Sequence, residues 1–184
     1  GDEVDHDMIL PRKSLNLLRS ILPSEKSSEI KLEFNASNAY FSFESVRMVC
    51  RLIDERYPDY DNVIPSDNTN LVTISKSEIL GSLKRISIYA NKTTNQVRLK
   101  ITGSEILMSA EDLDFSNEAN ERISCEHDGE DIEIGFNAKF LIELLSNIDS
   151  DKVILKLSEP NKAGLIIPDN VGENEEITML VMPV

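Results

Sequence analysis

The feature that most constrains the fold of this chain is an internal repeat that occurs three times. Each copy begins with an apolar residue, places a lysine two or three positions later, and places a leucine or isoleucine five positions later. The three copies are "LPRKSLNLLRSI" from Leu10, "ISKSEILGSLKRI" from Ile74 and "FNAKFLIELLSNI" from Phe136. We predict that all three run as helices, because each has a local start signal. These signals are Pro11 in the first copy, a capping box of Ser75 with Glu78 in the second, and Asn137 as a cap in the third.

Strand signals follow each predicted helix, as apolar-rich runs separated by turn residues. They are "IKLEFN", "AYFSF" and "VRMVCRLI" after the first helix, "VRLKI", "EILMS" and "RISCEH" after the second, and "KVILKL", "GLIIP" and "ITMLVMP" after the third. The repeat unit is therefore one helix followed by three strands, at a spacing of roughly 60 residues. One helix cannot cover both faces of the sheet that its three strands form, so units should pair. With three units, the second and third are expected to form a complete domain, and the first lacks a partner in this sequence.

Composition indicates a globular chain of 184 residues, since 40% of them are hydrophobic. No apolar run approaches the roughly 18 residues that cross a bilayer, and the first ten residues are acidic, unlike a signal peptide. We therefore expect a cytoplasmic protein without a membrane partner. Cys50 and Cys125 lack metal-ligand spacing and are predicted to be buried, reduced thiols.

Charge is distributed unevenly along the chain. The net charge of −14 argues by itself against a nucleic-acid partner. Segments 11–22 and 75–92 nevertheless each carry +3, while segment 111–133 holds ten acidic residues and one basic residue. Basic charge is thus concentrated on the first two predicted helices.

Helical periodicity indicates where those basic residues point. In the second helix, Ile79, Leu83, Ile86 and Ala90 form one apolar stripe, and Lys84, Arg85 and Lys92 lie opposite. In the first, Leu15, Leu18, Ile21 and Leu22 are expected to face the sheet, and Arg12, Lys13 and Arg19 to face away. Two interpretations remain open: ordinary solvated helix faces, or faces that contact phosphates.

The sequence offers an enzyme little support. The acidic clusters "EDLDF" and "DGEDIE" lack the ligand spacing of a calcium loop and are expected at hairpin turns. His6 and His127 have no nucleophile motif to serve, and no phosphate-binding glycine loop is present. We predict no catalytic site, metal or cofactor. A protein-interaction module that does not bind DNA remains the alternative function.

Several motifs resemble one family. "RLIDERYPDYDNVIP" resembles the interdomain segment of the bacterial sliding clamps, the beta subunits of DNA polymerase III. "LPRKSLNLLRSIL" resembles the start of a helix in the clamp's middle domain, "IEIGFNAKFLIELL" its last helix, and "LVMPV" its C-terminal tail. The resemblance implies an α+β DNA clamp fold, with antiparallel sheets outside and helices inside. It also implies that residues 1–60 are the second half of the middle domain and that residues 61–184 are the C-terminal domain.

The resemblance further implies a function and its residues. Two such subunits form a head-to-tail ring that encircles duplex DNA without reading its sequence, and tethers the polymerase III alpha subunit, the clamp loader and other proteins that carry a clamp-binding motif. The implied DNA-facing residues are Arg12, Lys13, Arg19, Lys84, Arg85 and Lys92. The implied partner-peptide groove comprises Pro58, Asn62, Val63, Asn161, Ala163, Leu180, Met182, Pro183 and Val184. Ile88 and Tyr89 match positions of the dimer interface. Since the family's first domain has no counterpart here, we expect this C-terminal fragment to be a monomer.

Overall fold

Two units make up the structure, a computed structural model that describes residues 7–23, 29–172 and 175–184. Unit 1 is Gly1–Asp59 and unit 2 is Tyr60–Val184.

Unit 1 contains one helix and one antiparallel sheet. Its elements are α1 (Arg12–Ile21), β1 (Lys31–Phe34), β2 (Asn38–Phe43) and β3 (Val46–Arg51). The strands lie in the order β1-β2-β3, so β1 and β3 are the edges. A small core of Ala39, Phe41, Met48 and Cys50 packs against four partly buried side chains, Met8, Leu10, Leu18 and Leu52. The three strands predicted for this unit are confirmed.

The predicted orientation of α1 is only partly right. Leu18 packs against the core of unit 1, but Leu15 and Ile21 are exposed, and the helix has no fully buried residue. The prediction was wrong for Leu15 and Ile21, because the small core of unit 1 contacts Leu18 but does not reach these two side chains.

Unit 2 contains two longer helix-plus-strands halves. The first half is β4 (Asn70–Ser75), α2 (Lys76–Ile86), β5 (Gln96–Thr102), β6 (Glu105–Asp112), β7 (Asn117–Ser124) and β8 (Glu126–Asp128). The second half is β9 (Ile132–Asn137), α3 (Ala138–Ser146), β10 (Lys152–Leu157), β11 (Gly164–Pro168) and β12 (Met179–Val181). Single turns of 3-10 helix lie at Asp61–Val63 and Ser87–Tyr89.

The two halves of unit 2 exchange their leading strands. One sheet has the order β12-β11-β10-β4-β8 and the other β7-β6-β5-β9. Hence β4, which precedes α2, pairs with β10 of the second half, and β9, which precedes α3, pairs with β5 of the first. The sequence analysis missed β4 and β9, and it took "RISCEH" as one strand. The structure breaks that run at Cys125 and places β7 and β8 in different sheets.

The predicted helix starts at Ser75 and Asn137 are confirmed. The Ser75 hydroxyl accepts a hydrogen bond from the Glu78 N–H at 3.5 Å, and the Asn137 side chain accepts one from the Lys139 N–H at 3.0 Å. At α1, Pro11 makes no side-chain cap, and its carbonyl accepts from the N–H groups of Ser14 and Leu15. The short polar side chains of Ser75 and Asn137 accept hydrogen bonds from N–H groups of the first helical turn, which have no partner within the helix.

One hydrophobic core joins α2 and α3 to both sheets of unit 2, and it includes the predicted stripe Ile79, Leu83, Ile86 and Ala90. Cys50 and Cys125 are buried free thiols, as predicted, and burial raises the pKa of the Cys125 thiol. Within the part of the chain that the structure describes, no helix is long and apolar enough to span a membrane, and no group of histidine, cysteine or acidic side chains has the arrangement of a metal site.

Candidate functional site

The exposed face of α2 carries the cationic side chains predicted from its periodicity. Lys84 and Arg85 are exposed in the last turn of α2, and Lys92 is exposed after the 3-10 turn that follows. The Lys92 ammonium donates to the Ile88 carbonyl oxygen at 3.0 Å, which holds its stem along the helix end. Among the described residues, Lys84 has no acidic partner within ion-pair distance. Lys84 and Lys92 therefore present positive charge to solvent on one side of unit 2.

Arg85 differs from these two lysines because it is engaged within unit 2. Its guanidinium forms an ion pair with Glu121 of β7, with Nε donating to Oε2 at 3.3 Å. The buried Ser82 hydroxyl donates to the same carboxylate at 2.8 Å. Both hydrogen bonds lower the pKa of Glu121, and the one from Arg85 has the larger effect. Part of the charge predicted for a DNA-facing surface is thus neutralised by β7.

The Glu121 contact should make stability depend on pH. The pKa of Glu121 is lower in the folded chain than the value of about 4.3 for an unfolded glutamate, so its contribution is present above that pH and is lost as the pH falls through the folded pKa. Glu121→Gln is therefore expected to lower the melting temperature at neutral pH, with a smaller difference at acidic pH, where Glu121 of the folded chain becomes protonated. Thermal unfolding followed by circular dichroism at both pH values measures this.

Glu118→Gln on the same strand is the matched control, because Glu118 is exposed and has no ion-pair partner in the described part of the chain. An equal effect of the two substitutions at neutral pH would contradict the assigned role of Glu121.

The basic residues predicted on α1 are also exposed, and they belong to unit 1. Arg12, Lys13 and Arg19 lie on the solvent side of the helix, without an acidic partner among the described residues. The first turn of α1 contains no acidic residue. This helix, like α2, keeps a cationic face in an acidic chain.

The C-terminal tail forms an edge strand and then crosses to the other sheet of unit 2. Leu180 and Val181 pair with Leu165 and Gly164 of β11. Pro183 bridges to Phe136 of β9, and the Val184 N–H donates to the Gly135 carbonyl at 3.0 Å. The tail is therefore held by its backbone at both ends.

Alternation along this held tail decides which of its side chains meet solvent. Val181 is buried, Met182 is 59% exposed, Pro183 is partly buried and Val184 is exposed. A fixed backbone with exposed apolar side chains is a surface on which another apolar side chain can pack.

Polar contacts bind the segment after the 3-10 turn to the hairpin between β10 and β11. The Asn68 side-chain amide donates to the carbonyl oxygens of Lys156 and Ala163, at 2.9 Å in each case. Lys162 pairs with Asp67 at 3.1 Å and with Glu159 at 3.0 Å. The Lys162 hydrogen bond lowers the pKa of Asp67.

Asn68 and Lys162 were missed by the sequence analysis. Asn68 and its partner Lys156 are 88 residues apart in the sequence, and Lys162 and its partner Asp67 are 95 residues apart. No local pattern in the sequence marks such pairs. Together they hold the segment that follows Val63 against the hairpin that carries Asn161 and Ala163.

The predicted groove residues of unit 2 lie on three neighbouring pieces of it. Asn62 and Val63 are in the 3-10 turn, and Val63 is exposed. Asn161 is exposed in the β10–β11 hairpin, whereas Ala163 is buried there and offers mainly its backbone. The tail supplies the remaining four, Leu180, Met182, Pro183 and Val184. Pro58 belongs to unit 1 and is exposed there.

The pair Ile88 and Tyr89 lies in the 3-10 turn after α2, and both side chains are exposed. Their neighbour Ala90 is buried, so the turn is fixed in the core while this apolar pair remains uncovered by described residues of unit 2. Such a pair is a candidate protein contact.

Comparison with known proteins assigns both segments of the chain to one family. The family model for the C-terminal domain of the DNA polymerase III beta subunit matches residues 61–184, and the model for its central domain matches residues 1–59. The beta sliding clamp of Pseudomonas putida is 29% identical over 182 residues, which cover 97% of this chain and 47% of that protein. That of Synechocystis is 28% identical and matches 100% of this chain and 47% of its own length. The chain thus spans about half the length of these relatives.

Solved structures agree with this assignment. A DnaN sliding clamp from Pseudomonas aeruginosa bound to griselimycin has a TM-score of 0.89 at 26% identity, covering 97% of this chain and 47% of that one. A clamp from Bartonella birtlesii bound to griselimycin has a TM-score of 0.88 at 28% identity, covering 96% and 46%. The predicted clamp fold is therefore confirmed, and the alternative of a protein-interaction module of the same repeated fold that does not bind DNA is not favoured. The chain belongs to the family of the DNA polymerase III beta subunit, the beta sliding clamps.

Proposed function

We propose that this chain is the part of a DNA sliding clamp that comprises the second half of the middle domain, residues 1–60, and the whole C-terminal domain, residues 61–184. In the full-length protein it contributes to a head-to-tail ring around duplex DNA. The observation that carries this proposal is that two consecutive models of the same family match the chain in the family's order. The two-half topology of unit 2 supports it as well.

The proposed contact with DNA is electrostatic and independent of sequence. A ring that slides cannot hold individual bases, so its inner surface needs only diffuse positive charge near the phosphates. The side chains of Arg12, Lys13, Arg19, Lys84 and Lys92 fit that role, since none of them has an acidic partner among the described residues. Arg85 fits it less well, because Glu121 already binds its guanidinium.

The proposed partner site is an apolar peptide groove. Val63, Leu180, Met182 and Val184 would accept the leucine and aromatic side chains of a clamp-binding motif, with Pro58, Asn62, Asn161, Ala163 and Pro183 as further contacts. The support is the backbone-held tail beside β11 and the hairpin fixed by Asn68. Polymerase III alpha subunit, clamp loader and similar motif-bearing proteins would dock there. The chain itself would catalyse nothing, need no cofactor, and work in the cytoplasm.

The ring proposal is tested with a full-length protein that contains this sequence. Such a protein should stay on closed circular duplex DNA and be released when the circle is cut, because retention would be topological. Equal retention on circular and linear DNA would contradict a ring. Ile88→Ser and Tyr89→Ser in that protein should weaken closure if this pair lies in the dimer interface.

The 184-residue chain alone is expected to bind duplex DNA only weakly. Without a ring, a few phosphate contacts act against a net charge of −14, and they weaken further with salt. We expect a dissociation constant of about 10 µM or weaker at about 150 mM salt, with tighter binding at lower salt. Fluorescence anisotropy with a labelled duplex measures it, and submicromolar affinity at that salt would overturn the prediction.

A further inference from the structure

The Arg85 guanidinium occupies a small site that other residues of unit 2 build for it. Its side chain folds back along α2 over the preceding turn, where a Cβ on Gly81 would lie 3.3 Å from Nη1. Glycine at that position leaves room for the guanidinium. Nε of Arg85 binds Oε2 of Glu121 at 3.3 Å, and Nη2 binds the other carboxylate oxygen, Oε1. The ion pair is therefore bidentate, which is the geometry that makes such pairs strong.

The Glu121 carboxylate is itself held in place. Glu121 lies opposite the buried Met108 in the pairing of β6 with β7, so its side chain is on the face of the sheet that α2 covers. The hydroxyl of Ser82, a fully buried residue of α2, donates to Oε2 at 2.8 Å. The carboxylate would lose this hydrogen bond if it followed Arg85 outward.

Lys84, the residue before Arg85, has no such site. It is exposed, and no acidic side chain among the described residues lies within ion-pair distance of it. The ammonium of Lys84 can therefore bind a phosphate directly, whereas the guanidinium of Arg85 would first have to leave two carboxylate oxygens. A phosphate that approached Arg85 would also be repelled by the charge of Glu121. Two neighbouring cations of one helical turn thus differ in their availability to DNA.

We propose that Glu121 withholds Arg85 from DNA and so limits the number of phosphate contacts that α2 makes. This inference rests on the proposed function, in which α2 faces duplex DNA. Arg85 then acts within unit 2 by tying α2 to β7, while Lys84 and Lys92 contact phosphates. Glu121 sets the affinity without touching the DNA. Because each phosphate contact releases counterions, Glu121 also sets how steeply binding depends on salt.

The salt dependence of duplex binding by the 184-residue chain tests this inference. Glu121→Gln should free Arg85 for one further phosphate contact, which steepens the slope of log K against log salt by about 0.9 and tightens binding about fivefold at about 50 mM salt. Glu118→Gln removes the same charge from the opposite face of β7 and should leave the slope unchanged. If Glu121 were merely structural, its substitution would weaken binding or leave it unchanged. Fluorescence anisotropy with a labelled duplex between about 20 and 150 mM salt measures the slopes, and circular dichroism checks that each variant is folded.

Two charge-matched double variants separate direct contact from net charge. Arg85→Gln with Glu121→Gln removes the ion pair, and Lys84→Gln with Glu118→Gln removes a cation and an acid that do not pair with each other. Both double variants keep the net charge of −14. The first should bind DNA within about twofold of the unchanged chain, whereas the second should lose one contact and show a slope shallower by about 0.9.

The outcomes distinguish this inference from the proposed function. Equal losses in the two double variants would overturn the inference, because Arg85 would then contact phosphates in spite of Glu121. A slope no steeper for Glu121→Gln than for Glu118→Gln would overturn it as well. If the double variant without Lys84 keeps the affinity and slope of the unchanged chain, the proposed placement of DNA along α2 is itself wrong, and the inference falls with it.

Discussion

Phe136→Ala is expected to lower the free energy of unfolding of unit 2 by about 3–5 kcal/mol. Phe136 is among the largest fully buried side chains, and its ring lies against the backbone of β11, where a Cβ on Gly164 would be 3.3 Å from the ring. Alanine would leave a cavity at the place where β9, β11 and the C-terminal tail meet. Urea unfolding followed by far-ultraviolet circular dichroism measures the loss.

Phe140→Ala is the matched control, since Phe140 is the same residue type on α3 but is exposed. Its effect should lie within about 0.5 kcal/mol, as for surface substitutions generally. Similar losses for both phenylalanines would mean that the tail and the two sheets do not pack as described.

Met182→Ala is expected to weaken a clamp-binding peptide by about tenfold or more, while leaving stability nearly unchanged. Met182 is exposed, so the folded chain loses little when its side chain is shortened, but a docked leucine or aromatic side chain would lose an apolar partner. A loss of about 1.4 kcal/mol in contact energy corresponds to tenfold in affinity. Isothermal calorimetry with a short Gln-Leu-x-Leu-Phe type peptide measures the change.

One control and one further substitution make this titration specific. Leu113→Ala removes an exposed apolar side chain in another part of unit 2 and should not affect the peptide. Pro183→Ala should change both stability and affinity, because Pro183 is partly buried and bridges to Phe136. If Met182→Ala leaves the affinity unchanged, the proposed groove is on the wrong residues.

Local patterns in the sequence predicted much of the fold. The three helices, the caps at Ser75 and Asn137, and the strand runs after each helix all follow from periodicities and polar caps that act over a few residues. The strands β4 and β9 were missed because each runs into its helix without a turn residue, so strand and helix look like one segment. The burial of the apolar face of α1 was overestimated, because periodicity shows which side of a helix is apolar but not how much of that side a neighbouring element covers.

The candidate site, like the fold, could be predicted from the sequence only in part. The exposure of Lys84 and Lys92 could be predicted, since it depends on helix geometry around one residue. The exposure of Met182 was implied only by the family resemblance. The ion pair between Arg85 and Glu121 could not be predicted, because it joins residues that only the packing of β7 beside α2 brings together. The same holds for the Asn68 contact with the β10–β11 hairpin.

The sequence by itself determined that this chain is built of three helix-plus-strands units and which helix faces are basic, because both follow from spacing along the chain. Only the tertiary structure decided that the halves of unit 2 exchange leading strands, that Glu121 neutralises Arg85, and that Leu15 stays exposed. The physical reason is that strand pairing, ion pairing and burial depend on partners dozens of residues away, which local pattern does not encode.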